Sequence, residues 1–186
     1  MKATSLLENQ HRRAEALLKK LESGVVDHAA VLDELANSLA AHMAIEQDIF
    51  YPAIKRVNEE LVNESYEEHA LAEVALKRLM ATDPEDDEFL ARVTALKDLL
   101  QHHVQEEEDE LFPAVHAAMD KDALEQLGAA DVVPLLHRLA LARRALAHQT
   151  LGVLDGVENE VVRLVSVARV VLDDHDQLGV EIGHFT

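Results

Sequence analysis

Apolar residues recur three and four positions apart along most of this chain, a spacing that predicts amphipathic helices rather than strands. Ser5 and Glu8 have capping-box spacing at the start of a first helical pattern that Gly24 closes. A second pattern starts near Asp27 and meets Pro52, where it should kink or end. Ser65 and Glu68 repeat the capping-box spacing for a third helix. Asp83-Pro84 reads as an N-cap and first-turn proline for a fourth, which runs to about Met119 and meets Pro113. Two further apolar patterns follow, Asp131 to about Val153 and Asp155 to about Asp174.

The first four patterns form two similar halves. Each pairs a short helix with a long one, and each long helix carries His-x3-Glu with a proline ten residues after the His: His42, Glu46 and Pro52, then His103, Glu107 and Pro113. Each short helix carries a His ahead of an aliphatic stretch, His11 and His69. Duplicated two-helix units suit an all-α, four-helix bundle with a pseudo-twofold axis. The expected organisation is a bundle over residues 1–120 and a C-terminal helical extension over 121–186. That two-helix extension packs on the bundle or forms a homo-oligomer interface.

A His and a Glu four residues apart lie about 40° apart and one turn along a helix, so both reach one ion. Counted at 100° per residue, Leu35, Leu39, Ile49, Ala53 and Val57 form a stripe between about −20° and +60° of His42, with Glu46 inside it. Leu96, Leu100, Leu111, Ala114 and Ala118 place Glu107 inside the matching stripe of the fourth helix. An ionised carboxylate in a core is costly unless it is paired or bound to a cation. Glu15 and Glu73 also follow a His by four, but both lie at the rim of the apolar face. Each precedes a lysine by four residues (Lys19 and Lys77), the favoured orientation for a surface ion pair. His102 is expected to face outward, and Glu106 to Glu110 to form a solvated acidic face with Glu107 as the exception. Tyr66, one turn before His69, and Phe50, one turn beyond Glu46, are placed to approach or shield such a site.

Composition narrows the function classes. A net charge of −19 leaves no basic stripe for nucleic acid and disfavours an anionic membrane surface. The sequence has no cysteine, which removes disulfides, thiolate zinc sites and cysteine catalysis. No apolar run reaches the ~20 residues of a membrane span, and no apolar leader opens the sequence. The expectation is a cytoplasmic protein with an aliphatic core.

The ordered set His11, His42, Glu46, His69, His103 and Glu107 resembles the hemerythrin-like, or HHE cation-binding, family over roughly residues 5–119. The resemblance implies an up-down bundle holding a non-haem di-iron centre, two iron ions bridged by Glu46 and Glu107. His11 and His42 would then bind one ion, His69 and His103 the other. The same donors accept manganese or zinc. Oxygen-carrying members have a further His where this chain has Glu73, which favours reaction with O2, nitric oxide or peroxide over plain carriage. Three functions follow: a di-iron binding protein that senses or carries such a ligand or handles iron, a di-iron peroxidase, catalase-like enzyme or oxidase, and a metal-free helical interaction domain. The C-terminal Leu178 to Phe185 reads as a packed terminal segment, with a weaker likeness to tails that load cargo into encapsulin shells.

Overall fold

A computed structural model describes residues 1–24 and 27–130. These form five helical rods and no strand. The first is α1 (Ala3–Ser23). The second joins α2 (His28–Ile45), a π-helical turn π1 (Glu46–Phe50) and α3 (Tyr51–Ile54). The third is α4 (Glu59–Met80). The fourth joins α5 (Phe89–Glu106), a second π-turn π2 (Glu107–Leu111) and α6 (Phe112–Ala118), and α7 (Lys121–Ala130) is the fifth. The first and third rods each lie between the second and fourth, which gives the up-down four-helix bundle. The two C-terminal patterns from Asp131 onward, with the terminal segment, fall outside the described residues.

Local chemistry explains most helix ends. Gly24 takes the left-handed conformation (φ 68°) and donates to the Leu21 carbonyl, a glycine C-cap. The Asp27 carboxylate accepts from the Ala30 N–H at 3.2 Å and starts α2. Three starts differ from expectation. The third rod begins a turn and a half earlier than Ser65, because Asn58 accepts from the Leu61 N–H at 3.1 Å and Glu59 and Glu60 follow in the first turn. Ser65 lies inside that helix, with its hydroxyl donating to the Leu61 carbonyl at 2.9 Å. Asp83 closes a local turn by accepting from the Glu85 N–H at 3.0 Å, so the fourth rod starts only at Phe89. Ser5 lies within α1, which starts at Ala3 without a side-chain cap, and the backbone of residues 1–3 packs against α7. A Cβ at Gly128 would stand 2.5 Å from the Met1 carbonyl oxygen, so only glycine admits that approach.

Neither proline ends its rod. A π-turn opens just ahead of each, with the Tyr51 N–H donating to the Glu46 carbonyl and the Phe112 N–H to the Glu107 carbonyl, five residues back. Pro52 has no N–H to continue this register to the Gln47 carbonyl; the Tyr66 hydroxyl donates to that oxygen instead, at 3.1 Å. Each π-turn adds one residue, so the buried face beyond each Glu moves on by one position. Phe50 and Ile54 are buried where the 100° count expects Ile49 and Ala53, and Val115 is buried where it expects Ala114.

The core is in two parts. Leu17, Leu21, Leu35, Leu79, Phe89 and Leu96 anchor one apolar cluster. Leu7, Ile45, Phe50, Tyr51, Phe112 and Leu124 anchor the other. His11, His42, His69 and His103 each lie between residues of the two clusters along their own helices. A buried polar layer thus crosses the middle of the bundle.

Candidate metal centre

All six candidate residues meet in this layer. Glu46 and Glu107 are fully buried, and the four histidines are 3–6% exposed. One donor atom from each of His11, His42, Glu46 and Glu107 lies within 4.8 Å of the others, and the same holds for Glu46, His69 and His103. Glu46 belongs to both groups.

The imidazoles point the same way round. Each presents Nε2 to the carboxylates. His42 Nε2 is 3.1 Å and His69 Nε2 3.2 Å from Glu46 Oε2; His11 Nε2 is 3.3 Å and His103 Nε2 3.8 Å from Glu107 Oε2. Each Nδ1 is held from outside. His11 Nδ1–H donates to Glu108 at 2.8 Å, His42 Nδ1–H to Gln10 at 3.1 Å, and His103 Nδ1–H to Glu68 at 2.8 Å. The Gln47 amide lies 3.0 Å from His69 Nδ1. With its nitrogen toward the ring it leaves the proton on Nε2; turned over, its oxygen accepts from Nδ1–H and frees Nε2 for an ion.

The two halves interlock through these contacts. The Glu of each long rod crosses to the short-rod His of the other half, Glu46 to His69 and Glu107 to His11. The residue after each Glu (Gln47, Glu108) supports that same His. The residue before each short-rod His (Gln10, Glu68) supports the long-rod His. His11–His42 and His69–His103 ring centroids are both 4.7 Å apart.

These outer partners are the functional residues that the periodicity count misses. Their signal is adjacency to a candidate ligand in both copies of the duplicated unit. Glu108 turns inward to His11 rather than joining the solvated acidic face, and it also holds Arg12. Fixing the ring and tautomer of a ligating His is worth about 10–100-fold in metal affinity. Glu68→Ala is therefore expected to weaken metal binding by about that factor, read by competition against a chelator, without unfolding the bundle.

Tyr51, rather than Tyr66, is the tyrosine of the site. Its hydroxyl donates to Glu107 Oε1 at 2.9 Å and lies 3.4 Å from His69 Nε2. At 100° per residue Tyr51 is about 140° away from Glu46; the five-residue register of π1 brings it beneath that Glu. The matching residue of the second half is Phe112, whose ring lies parallel to His11 with centroids 6.1 Å apart. One side of the layer therefore carries a hydroxyl and the other does not.

The rim residues stay at the rim. Glu15 pairs with Lys19 at 3.5 Å, and Glu73 with Lys77 at 2.7 Å. No carboxylate from position 73 reaches the layer. His102 is exposed, its side chain 62% accessible. His116 bonds Thr4, and His28 sits edge-on to Phe89.

Electrostatics keep His42 and His69 neutral, whereas His103 is pushed the other way. Burial, then repulsion from the other imidazoles, holds His42 well below its ordinary pKa. Burial and the neighbouring His103 lower His69 to about 3. Burial also opposes charge on His103, but the Glu68 hydrogen bond and the nearby carboxylates outweigh it and raise that pKa. Burial disfavours the charged form of Glu107 too. The His11 contact, the positive field of His103 and the Tyr51 hydrogen bond overcome this and lower its pKa to about 2. Burial, then Glu46 and Glu107, raises Tyr51 well above its ordinary value, so its proton stays on oxygen.

The donors suit metal binding. His11 Nε2 and Glu107 Oε2 are both buried and lack an aligned hydrogen bond, although only 3.3 Å apart. His69 Nε2 and His103 Nε2 stand 3.1 Å apart, a hydrogen bond when His69 carries its proton on Nε2 and a pair of free donors when it carries it on Nδ1. Ligand atoms around an ion with bonds of about 2.1 Å stand about 3.0–3.4 Å apart in octahedral to tetrahedral geometry, and three of the four Nε2–carboxylate distances fall in that range. His11 and His42 would hold one ion and His69 and His103 the other, with Glu46 and Glu107 between them.

Comparisons with known proteins concern the family and the fold. The model of the Hemerythrin HHE cation binding domain matches residues 2–115. A DNA nickase of Nostoc sp. is 30% identical over 94 residues, half of this chain but only 27% of that protein. The chain therefore spans about a quarter of that relative's length. An uncharacterised protein of Mycobacterium tuberculosis, Rv2633c, is 26% identical over 132 residues, 69% of this chain and 81% of that one. The crystal structure of a hemerythrin HHE cation binding domain-containing protein from Mycobacterium kansasii, an Rv2633c homolog, superposes with a TM-score of 0.66. It is 24% identical, and the match covers 89% of this chain and 99% of that one.

Proposed function

Because this chain belongs to the hemerythrin HHE cation-binding family, we propose that its central layer holds two iron ions and serves to sense, carry or react with O2, nitric oxide or peroxide. The convergence of four Nε2 atoms on two buried carboxylates, with every Nδ1 supported from outside, carries the reading. A bound iron pair would supply a redox-active centre that binds small oxygen and nitrogen ligands.

The protein's own residues set the terms. His42 and His69 are kept neutral and so need not lose a proton before ligation. Glu107 is ionised, and its negative charge offsets part of the charge of bound cations. The Tyr51 hydroxyl fixes one Glu107 oxygen and offers a proton donor on the His69–His103 side. With Glu73 at the surface, that side has one donor fewer than an oxygen carrier has, which supports reactivity or sensing rather than plain carriage. A diatomic or peroxide molecule is the partner this reading names, and nucleic acid is not. Among the described residues no helix is long and apolar enough to cross a membrane.

Metal analysis with an absorption spectrum of the oxidised protein provides the test. Iron-replete protein should contain two irons per chain and show oxo-bridged bands. A content below one ion of any metal per chain would sink the paired-centre reading. A di-iron enzyme is the alternative use of the same site, and sustained consumption of peroxide over many equivalents would favour it over sensing or carriage.

A further inference from the structure

A cleft of about 390 Å³ opens between α1, α2 and α5 and reaches inward to His11, His42 and His103. It does not touch Tyr51 or His69, so the two sides of the polar layer have different surroundings. At liquid density the space would hold about thirteen waters, room for an organic molecule of about ten non-hydrogen atoms. A diatomic molecule or hydrogen peroxide fills only a small part of it. Leu18, Leu39, Leu100 and Val104 give the cleft an aliphatic patch, set among polar and charged side chains that line the rest of it.

Gln10 supplies the polar feature. It is 3% exposed and lines the cleft. Its Oε1 accepts from His42, whereas its Nε2 is buried without a hydrogen-bond partner. A buried amide donor with no acceptor is costly, and an oxygen atom on a molecule in the cleft would satisfy it. The cations at the mouth are already engaged, Arg12 by Glu108 and Lys97 by Glu22 at 2.9 Å. Glu15 and Asp109 line the mouth as well, and the chain carries a net charge of −19. That field disfavours an anionic head group.

We propose that the cleft binds a neutral organic hydroperoxide, its apolar body against the leucines and its oxygens toward Gln10 and the metal pair. This rests on the paired-metal reading above and names a substrate class for it.

Zinc fits the same donors without redox chemistry, so zinc-loaded protein can be titrated with cumene hydroperoxide and followed by NMR. Saturable shifts are expected at the Gln10 side-chain amide and at the methyl groups of Leu18, Leu39 and Leu100. Val104→Trp, which fills the cleft from a half-buried wall position, should weaken binding at least about tenfold with zinc content kept. Gln10→Glu keeps an acceptor for His42 and removes the amide donor; it should weaken binding by about tenfold. Benzoate, of similar size but anionic, should bind at least about tenfold more weakly than the hydroperoxide. No saturation, unchanged affinity in both variants, or benzoate binding as tightly would each overturn the inference and leave the metal centre standing. If wild-type protein takes up no paired zinc or iron, the metal-centre reading fails and the inference falls with it.

Discussion

The double variant Glu46→Ala, Glu107→Ala is expected to lose both metal ions while remaining a folded helical bundle. Each Glu stands between imidazoles of the two halves, so no ion keeps more than two protein nitrogens once both are gone. The metal-free variant is expected to be less stable than metal-free wild type, because the Tyr51 hydroxyl and the imidazoles lose a buried partner, so each protein is compared with its own metal-free baseline. Metal present at about a thousandfold over its Kd stabilises the wild type by about 4 kcal/mol. At about 2–4 °C per kcal/mol for a chain of this size, that is a shift of about 10 °C in Tm. The shift should vanish in the variant. Glu15→Ala is the control, since Glu15 pairs with Lys19 and Arg12 at the surface; its metal content should match wild type. Two ions retained by the double variant, or one lost on Glu15→Ala, would show that the ligands have been misassigned.

Phe112→Ala is expected to cost about 3–5 kcal/mol of stability, the usual range for removing a buried aromatic ring. Phe112 is 2% exposed and sits edge-on to Phe50 with centroids 5.8 Å apart. Its ring also covers His11, so the cavity would open directly onto the polar layer. Denaturant unfolding of metal-free protein measures the loss. A cost below about 1 kcal/mol would mean that the second cluster collapses around the gap and that Phe112 does not brace His11.

The sequence makes the bundle legible because its two signals are local and repeated. Helical stripes counted at 100° per residue place Glu46 and Glu107 among leucines, and the duplication aligns His11 with His69. Those same rules fail beyond each Glu. An α-helical count knows nothing of the extra residue that each π-turn inserts, so it picks Ile49 and Ala53 where Phe50 and Ile54 are buried, and passes over Tyr51. Helix starts were legible where a side chain caps its own helix, as at Asp27. The pattern misleads where capping-box spacing occurs inside a helix, as at Ser65, or where an Asp closes a turn instead, as at Asp83. The outer partners Gln10, Gln47, Glu68 and Glu108 lay hidden because each sits on an otherwise polar position, where solvation is the ordinary explanation. Only the contact across the bundle shows them turned inward.

The polar layer has one more consequence. Without metal, little direct apolar packing couples the leucine cluster around Leu35 and Leu96 to the aromatic cluster around Phe50 and Phe112. Two such clusters can open as separate cooperative units, each with its own free energy. Amide hydrogen exchange in metal-free protein should then give two protection levels, one for each end of the bundle. Six ligands drawn from all four rods would bind the ends together, and exchange in loaded protein should rise to a single level. In that sense the metal pair would be the keystone of a bundle otherwise built as two.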